Sequence, residues 1–233
     1  MEMVRVRVID FLKIDEENGK NVLFLRVDPE DITVTLRDII DALSDLSWIS
    51  KFDKEYLRAS YQTRAETTVK HICKKIQDGA ASGVYGDAAE YIVSETARET
   101  LVGHLKYKDV PLGELFKEQV SGNPGFDYFT ANLSEVIIFG EAKYLAAQNA
   151  YGTGMGQTAR FITEGRDKAD IADIQNFFSD SALTGVYNGT KGFSIAFSAK
   201  NTASEALIQG IKRNAHYAEL SGYQELIFVA VNI

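Results

Sequence analysis

Residues 124–143 read PGFDYFTANLSEVIIFGEAK, and this stretch decides the fold. The run VIIF at 136–139 is apolar without alternation, which is typical of a central strand covered on both faces. It leads into Glu141 and Lys143, which a strand places on the same face because its side chains alternate. Burying a carboxylate and an ammonium costs free energy unless they are paired. The stretch therefore predicts a buried strand ending either in a functional Glu–Lys pair or in a simple ion pair.

Length and composition are those of an ordinary globular protein. The chain has 233 residues, of which 45% are hydrophobic and 25% charged. The sequence contains no apolar run of roughly 18 residues that could cross a membrane, and residues 1–10 lack the apolar core of a signal peptide. Cys73 is the single cysteine, which excludes an internal disulfide and a cysteine-rich zinc site. We expect a cytoplasmic protein.

The charge distribution limits the kinds of partner that the chain is expected to bind. A net charge of −8 argues against a protein that coats nucleic acid without specificity, but an acidic metal site is compatible with it. Residues 51–75 hold seven Lys or Arg side chains against three acidic ones, so they are the candidate surface for contacting phosphates, with a solvated helix face as the alternative. These basic residues are Lys51, Lys54, Arg58, Arg64, Lys70, Lys74 and Lys75.

The order of predicted elements indicates an α/β protein. A Gly-, Ala- and Ser-rich break at 78–86 separates an accessory region, residues 1–80, from a core, residues 81–233. We expect the accessory region, a β-hairpin with a long connection and two helices, to pack on the core. From residue 87 the patterns predict a helix, strands at 101–107, around 127 and at 136–143, a helix from 157, a strand, a helix and a final strand. This order favours a mixed central sheet.

Three side chains on the predicted strands have the chemistry of phosphodiester hydrolysis. Mg²⁺ prefers hard oxygen ligands, and Asp127 and Glu141 lie on strands joined by a connection short enough for them to pair. The two carboxylates can therefore converge on one ion. Lys143, on the same face as Glu141, can orient a water molecule and stabilise charge that develops on the phosphate.

Asp127 followed by Glu141-Ala142-Lys143 after an apolar strand resembles the PD-(D/E)XK nuclease superfamily. Its restriction-endonuclease-like core has the order αβββαβ, and the resemblance covers about residues 84–200. The proline of the family name is missing, since Phe126 precedes Asp127. The resemblance implies a helix carboxylate before the hairpin, which Glu90 in GDAAEYIV fits.

The resemblance also leaves two positions to be decided. Asp87-x-x-Glu90 is also the pattern of a capping box at a helix start, with Glu90 as its third helical residue, and Glu95 is then the fallback for the helix carboxylate. Many members carry a Gln in the helix after the E-x-K strand, and Gln157 occupies that place. The implied metal ligands are Asp127, Glu141 and Glu90.

A narrower resemblance suggests a biological setting. The N-terminal region together with GDAAEY, GFDYF and GEAKY is similar to the small nuclease subunit of Hachiman-type bacterial anti-phage systems. That subunit works with a superfamily 2 helicase. The resemblance implies DNA as the substrate, Mg²⁺ or Mn²⁺ as the cofactor and a helicase as the partner.

Three other interpretations remain open. The chain can be a catalytically silent subunit that binds DNA or a helicase, or a stand-alone restriction endonuclease. Gly152-x-Gly154-x-Gly156 also resembles a dinucleotide loop, although Gln157 puts the third glycine out of register with G-x-G-x-x-G. We expect these glycines to form a loop near the DNA cleft instead. Convergence of Glu90, Asp127, Glu141 and Lys143 is the structural test of the nuclease interpretation.

Overall fold

The computed structural model describes residues 6–17, 19–29, 31–82, 88–117 and 125–233. The strands of these residues form one mixed sheet, and they are β1 Arg7–Glu17, β2 Lys20–Asp28, β3 Tyr128–Ala131, β4 Ile137–Lys143, β5 Gly192–Ala199 and β6 Glu225–Asn232. Their order across the sheet is β1-β2-β6-β5-β4-β3. The four central strands run parallel, whereas β1 and β3 pair antiparallel at the two edges. The predicted α/β class with a mixed sheet is confirmed.

Helices pack around this sheet. They are α1 Ile32–Ser44, a 3-10 turn Ser47–Lys51, α2 Glu55–Ser82, α3 Ala89–Leu105, α4 Gly113–Phe116, α5 Tyr151–Thr163, α6 Arg166–Ala169, α7 Ile171–Ile174, α8 Asp180–Tyr187, α9 Ser204–Lys212 and α10 Tyr217–Leu220. Helix α3 lies across strands β3 to β6, α5 packs on β4 and β5, and α1 and α2 pack beside α3. Within the described ranges, no helix combines the length and apolarity needed to cross a membrane.

The N-terminal hairpin belongs to the same sheet as the rest of the chain. Strands β1 and β2 pair as predicted, but they are connected by a tight turn at Gly19, which has a φ of +77°, and not by a long connection. Residues 1–5 and Asn18 lie outside the described residues. Strand β2 then pairs in parallel with β6. The region predicted to be accessory therefore supplies two strands of the central sheet.

A close contact fixes the β3–β4 hairpin. Tyr128 is the cross-strand partner of Gly140, and a Cβ at Gly140 would overlap the Tyr128 ring. The Tyr128 hydroxyl continues across the sheet to lie 2.7 Å from Ser194 Oγ on β5. Only glycine leaves room for this ring. The packing sets the register of the two strands that carry Asp127 and Glu141.

The predicted strand at 101–107 is wrong. Helix α3 continues to Leu105 and ends where Lys106 adopts a left-handed conformation, with a φ of 60°. The one-turn helix α4, not a strand, then precedes β3. Between α3 and α5 the described residues therefore hold two strands, where the αβββαβ order requires three. The restriction-endonuclease-like type stays a prediction.

The predicted glycine loop at 151–156 is wrong as well. These residues form the first half of α5, which begins at Tyr151 and not near residue 157. A Cβ at Gly154 would lie 2.8 Å from Ile195 Cγ2, so the glycine lets the helix rest directly on β5. A helical glycine costs about 1 kcal/mol relative to alanine. Close packing on the sheet offsets that cost, and a dinucleotide loop is ruled out for these residues.

Candidate active site

Strand β4 brings Glu141 and Lys143 together. Their side chains lie on one face, and Lys143 Nζ lies 3.0 Å from Glu141 Oε1. Glu141 is completely buried, and neither of its carboxylate oxygens takes part in a hydrogen bond of good geometry. The short Nζ–Oε1 distance shows an ion pair even so, because charge attraction depends on distance more than on angle. The predicted pair is therefore formed at the end of a buried strand.

Helix α3 brings Glu90 to the same ammonium. Both Glu90 oxygens accept from Lys143 Nζ, at 3.3 and 3.4 Å. The helix begins at Ala89 with Ala88 as its N-cap, and Ala88 makes no side-chain hydrogen bond to the first turn. Glu90 is thus the second helical residue and not the third, as a capping box would require; Asp87 lies outside the described residues. The structure places the Glu90 carboxylate at Lys143.

Backbone groups of the hairpin hold Asp127 in place. Its N–H donates to the Gly140 carbonyl at 2.9 Å, and its Oδ2 accepts from the Ala142 N–H at 2.7 Å. The two bonds bracket Glu141, which lies between Gly140 and Ala142 in β4. Asp127 therefore reaches the end of β4 that carries Glu141 and Lys143.

Glu114 is a fourth carboxylate that the sequence did not reveal. It lies in α4, whose first residue, Gly113, donates its N–H to the Asp127 carbonyl at 2.8 Å. Glu114 Oε2 is buried and has no hydrogen bond. Together with Glu90 and Asp127 it lines a cleft of about 450 Å³. The lining residues are Lys75, Glu90, Tyr91, Ser94, Glu114, Asp127 and Tyr144.

Burial raises the proton affinity of the carboxylates. It raises the pKa of Glu141 well above its usual value, and the charges of Asp127 and Glu90 add to the shift while Lys143 opposes it. Burial also raises the pKa of Asp127 to about 6, although Lys143 and the Ala142 N–H lower it. The same cause, reinforced by Asp127, raises the pKa of Glu114 to about 8. These interacting groups titrate as one system.

The Lys143 ammonium stays charged in this setting. Burial alone lowers its pKa, but the charges of the neighbouring carboxylates outweigh burial and raise the pKa overall. A fixed positive charge therefore stands among carboxylates that hold their protons more tightly than usual. Such shifted groups in a cleft are typical of functional sites.

The carboxylate oxygens around Lys143 and the cleft fit a divalent cation in their chemistry. Carboxylates are the ligands that Mg²⁺ prefers, and the buried oxygens of Glu141 and Glu114 lack the hydrogen bonds that a purely structural role would provide. Across the described ranges, no three Asp, Glu, His or Cys side chains are already arranged as a set of metal ligands. The Lys143 ammonium lies between Glu90 and Glu141 in this arrangement.

Two other predicted site residues have different surroundings. Glu95 is buried, but it accepts from Arg98 at 2.9 and 2.7 Å and does not line the cleft. Gln157 is half-buried on α5, one turn after Gly154. A Cβ at Gly154 would lie 3.7 Å from Lys143 Cγ, so this helix packs beside the lysine stem. Glu95 is therefore separate from the cluster, and the role of Gln157 stays a prediction.

The basic stretch 51–75 contributes one residue to the cleft lining, Lys75. Its Nζ lies 5.9 Å from the centre of the Tyr91 ring. Arg58 and Arg64 instead donate to backbone carbonyls, including those of Phe52 and Phe116. Of the seven basic residues predicted to face phosphates, Lys75 is thus the one that lines the cleft.

Comparison of the chain with protein-family models, with curated proteins and with solved structures found no match. The functional assignment therefore depends on the side chains that converge on Lys143.

Proposed function

We propose that the chain is a metal-dependent nuclease that hydrolyses phosphodiester bonds in DNA. One observation carries this proposal: the Lys143 ammonium pairs with Glu141 and Glu90 at a cleft that Asp127 and Glu114 line. An ammonium in such a place attracts a phosphate, and the surrounding carboxylate oxygens suit a divalent cation. Few purely structural sites need both an ammonium that can attract a phosphate and carboxylates that can bind a cation.

Asp127, Glu141 and Glu90 are the proposed ligands of Mg²⁺ or Mn²⁺, with Glu114 as a further oxygen donor. When bound, the ion supplies a Lewis acid for the phosphate and lowers the pKa of a water molecule. The buried oxygens of Glu141 and Glu114 that accept no hydrogen bond support this assignment.

The other steps of catalysis and substrate binding depend on side chains whose positions are set by the fold. Lys143 can donate to the attacking water or to a phosphate oxygen, and its two carboxylate partners keep the ammonium at the cleft. Stabilising charge that develops in the transition state is the usual use of such a group. The Ala142 N–H holds the Asp127 carboxylate in one orientation, which lowers the entropic cost of orienting this group for the reaction. Lys75 can contact a flanking phosphate.

We propose further that this nuclease acts in bacterial anti-phage defence with a helicase partner. The resemblance of GDAAEY, GFDYF and GEAKY to the Hachiman-type nuclease subunit supports this role. The net charge of −8 also fits it, because an acidic chain gains little from non-specific attraction to DNA. A partner that holds the DNA would remove that limitation.

The test is cleavage of linear DNA by the purified chain with Mg²⁺, Mn²⁺ or EDTA. We expect cleavage only with metal, and we expect Lys143→Ala and Asp127→Ala each to reduce it by about 100-fold or more. Both variants should keep the folded circular dichroism spectrum. Lys212→Ala, at an exposed position on α9, is the matched control and should cleave normally. The proposal fails if the wild-type chain, free of any partner, never cleaves DNA with either metal.

A second candidate is a catalytically silent subunit that binds DNA or a helicase. One observation favours it: in the described residues no three potential ligands are arranged for a metal, and Lys143 pairs with two of the proposed ligands. Calorimetric titration with Mn²⁺ separates the two candidates. The nuclease proposal requires binding that Asp127→Ala abolishes, whereas the silent subunit shows no binding in either protein.

A further inference from the structure

Tyr144 separates the acidic cleft from a second cavity of about 180 Å³. We refer to this cavity as the base pocket. It is mainly apolar, and its lining residues are Pro29, Ile32, Ile92, Tyr144, Asn232 and Ile233. Tyr144 belongs to both cavities and directly follows Lys143 in the chain. The base pocket and the acidic cleft therefore lie next to each other, on either side of Tyr144.

We propose that the base pocket receives one unpaired nucleobase of the nucleotide whose phosphate lies at Lys143. The preferred substrate is then single-stranded DNA or an unpaired DNA end, and not an intact duplex. This inference rests on the proposed nuclease function and names the form of DNA on which the site acts.

The position of Tyr144 is the first argument. Tyr144 lines the same cleft as Glu90, which accepts from Lys143 Nζ at 3.3 Å, so Tyr144 and Lys143 can contact neighbouring parts of one nucleotide. Lys143 lies on the charged side, with Glu141 at 3.0 Å, and Tyr144 borders the apolar side. A phosphate attached to a flat, weakly polar base has this same division between its two ends.

The size and lining of the pocket are the second argument. Pockets for drug-sized ligands have about 300–1,000 Å³, so a cavity of about 180 Å³ suits one small ring system. Asn232 accepts from Arg26 Nε through its Oδ1 at 2.9 Å, which directs its side-chain amide N–H groups elsewhere. Those groups can donate to a base edge. An apolar wall with few polar groups is typical of a site for a planar ligand.

Cations beside the aromatic rings are the third argument. Lys200 Nζ lies 5.0 Å from the centre of the Tyr144 ring, and Lys75 Nζ lies 5.9 Å from that of Tyr91. Both rings line the cleft. Proteins that bind single strands combine aromatic rings, on which bases stack, with basic groups that follow the backbone. A base within a duplex is stacked and paired, and it must be extruded before it can enter such a pocket.

Binding measured in EDTA tests this inference apart from cleavage. Fluorescence anisotropy compares a short labelled single strand with the blunt duplex of the same sequence at low salt. We expect the wild-type chain to bind the single strand about tenfold more tightly. Tyr144→Ala should weaken single-strand binding about tenfold, within the range measured for one base stacked on an aromatic ring, and leave duplex binding unchanged. Tyr144→Phe keeps the ring and should bind like the wild type.

The control is Tyr187→Ala on α8, which removes an exposed ring far along the chain from Tyr144 and should change nothing. The base pocket is wrong if both DNA forms bind equally, if neither binds, or if Tyr144→Ala binds the single strand like the wild type. Tight single-strand binding that depends on Tyr144, without cleavage in Mg²⁺ or Mn²⁺, supports the base pocket and removes the nuclease. Metal-dependent cleavage that shows no preference between single-stranded and duplex DNA, in both the wild type and Tyr144→Ala, supports the nuclease and rules out the base pocket.

Discussion

Two buried charge clusters lie along helix α3, and they differ in how well their carboxylates are paired. The Arg98 cluster consists of Glu95, Arg98, Glu99 and Asp109. The Lys143 cluster consists of Glu90, Glu114, Asp127, Glu141 and Lys143. Each cluster has one basic side chain and an excess of acids. The two clusters differ in the hydrogen bonds that their carboxylates accept.

In the Arg98 cluster the guanidinium contacts every carboxylate. Arg98 donates to Glu95 from Nε at 2.9 Å and from Nη2 at 2.7 Å, and it also donates to Glu99 and Asp109. Burial lowers the pKa of Arg98, but the three acidic charges outweigh burial and raise it overall. The planar guanidinium suits several carboxylates at once. Three members of this cluster lie on α3, and the contact with Asp109 links the helix to the segment that follows it.

The Lys143 cluster leaves buried oxygens without hydrogen bonds. Three such oxygens belong to Glu141 and Glu114, and burial raises the pKa of both side chains; the Arg98 cluster has one, Glu99 Oε2. Lys143 offsets the charge of Glu141, but burying carboxylate oxygens that accept no hydrogen bond still costs free energy. The contrast supports our proposal that the Lys143 cluster binds a ligand, whereas the Arg98 cluster serves the fold.

The largest expected effect comes from removing the basic residue of each cluster. Arg98→Ala leaves three carboxylates without their shared partner and should lower the free energy of unfolding by about 3–5 kcal/mol. Lys143→Ala should cost about 1 kcal/mol, because the buried Glu141 can take up a proton instead. Urea unfolding measures both, with Lys212→Ala as the control. Equal losses in the two variants would contradict the distinction between the clusters.

The pH dependence of stability gives a smaller effect. Glu114 has a pKa of about 8 against an ordinary 4.5. The unfolded chain releases this proton above about pH 4.5, so ionisation of Glu114 makes folding less favourable as pH rises towards 8. Glu114→Gln cannot ionise, and it should therefore gain on the wild type across this window, by about 2 kcal/mol or more at pH 8.

Urea unfolding at several pH values checks this prediction. Below pH 4.5 the wild type and Glu114→Gln should differ little, and the advantage of the variant should grow steadily up to pH 8. An advantage that does not change with pH would mean that Glu114 is ionised throughout, as in a satisfied structural site. Glu16→Gln, on the exposed part of β1, is the control.

The sequence predicted the local part of this site and missed the part that depends on distant contacts. Alternation within β4 was enough to pair Glu141 with Lys143, and the short connection to β3 was enough to place Asp127 beside them. Glu114 gave no such signal, because its one-turn helix is held by a bond from Gly113 to the Asp127 carbonyl. Its role follows from tertiary structure alone.

The wrong elements have related causes. Residues 101–105 form the last turn of α3, whose preceding turns are buried down to Leu101, whereas residues 102–105 are not buried themselves. The glycines of α5 indicated a loop by their intrinsic preference, but Gly154 is needed where the helix meets Ile195. In both segments a residue buried in the helix, Leu101 or Gly154, counts for more than the local sequence pattern.

The smallest predicted effect compares two glutamates of α3: Glu90, which the sequence ranked first as a metal ligand, and its fallback Glu95. Glu95→Gln weakens charge-assisted bonds to Arg98 and should cost about 1–3 kcal/mol of stability, with Mn²⁺ binding unchanged. The Glu90 side chain is 47% exposed, so Glu90→Gln should change stability by about 0.5 kcal/mol at most, yet it should weaken Mn²⁺ binding. Urea unfolding and calorimetric titration measure the two properties separately. If Glu95→Gln weakens Mn²⁺ binding and Glu90→Gln does not, the metal belongs to the Arg98 cluster, and the unsatisfied oxygens around Lys143 have lost their explanation.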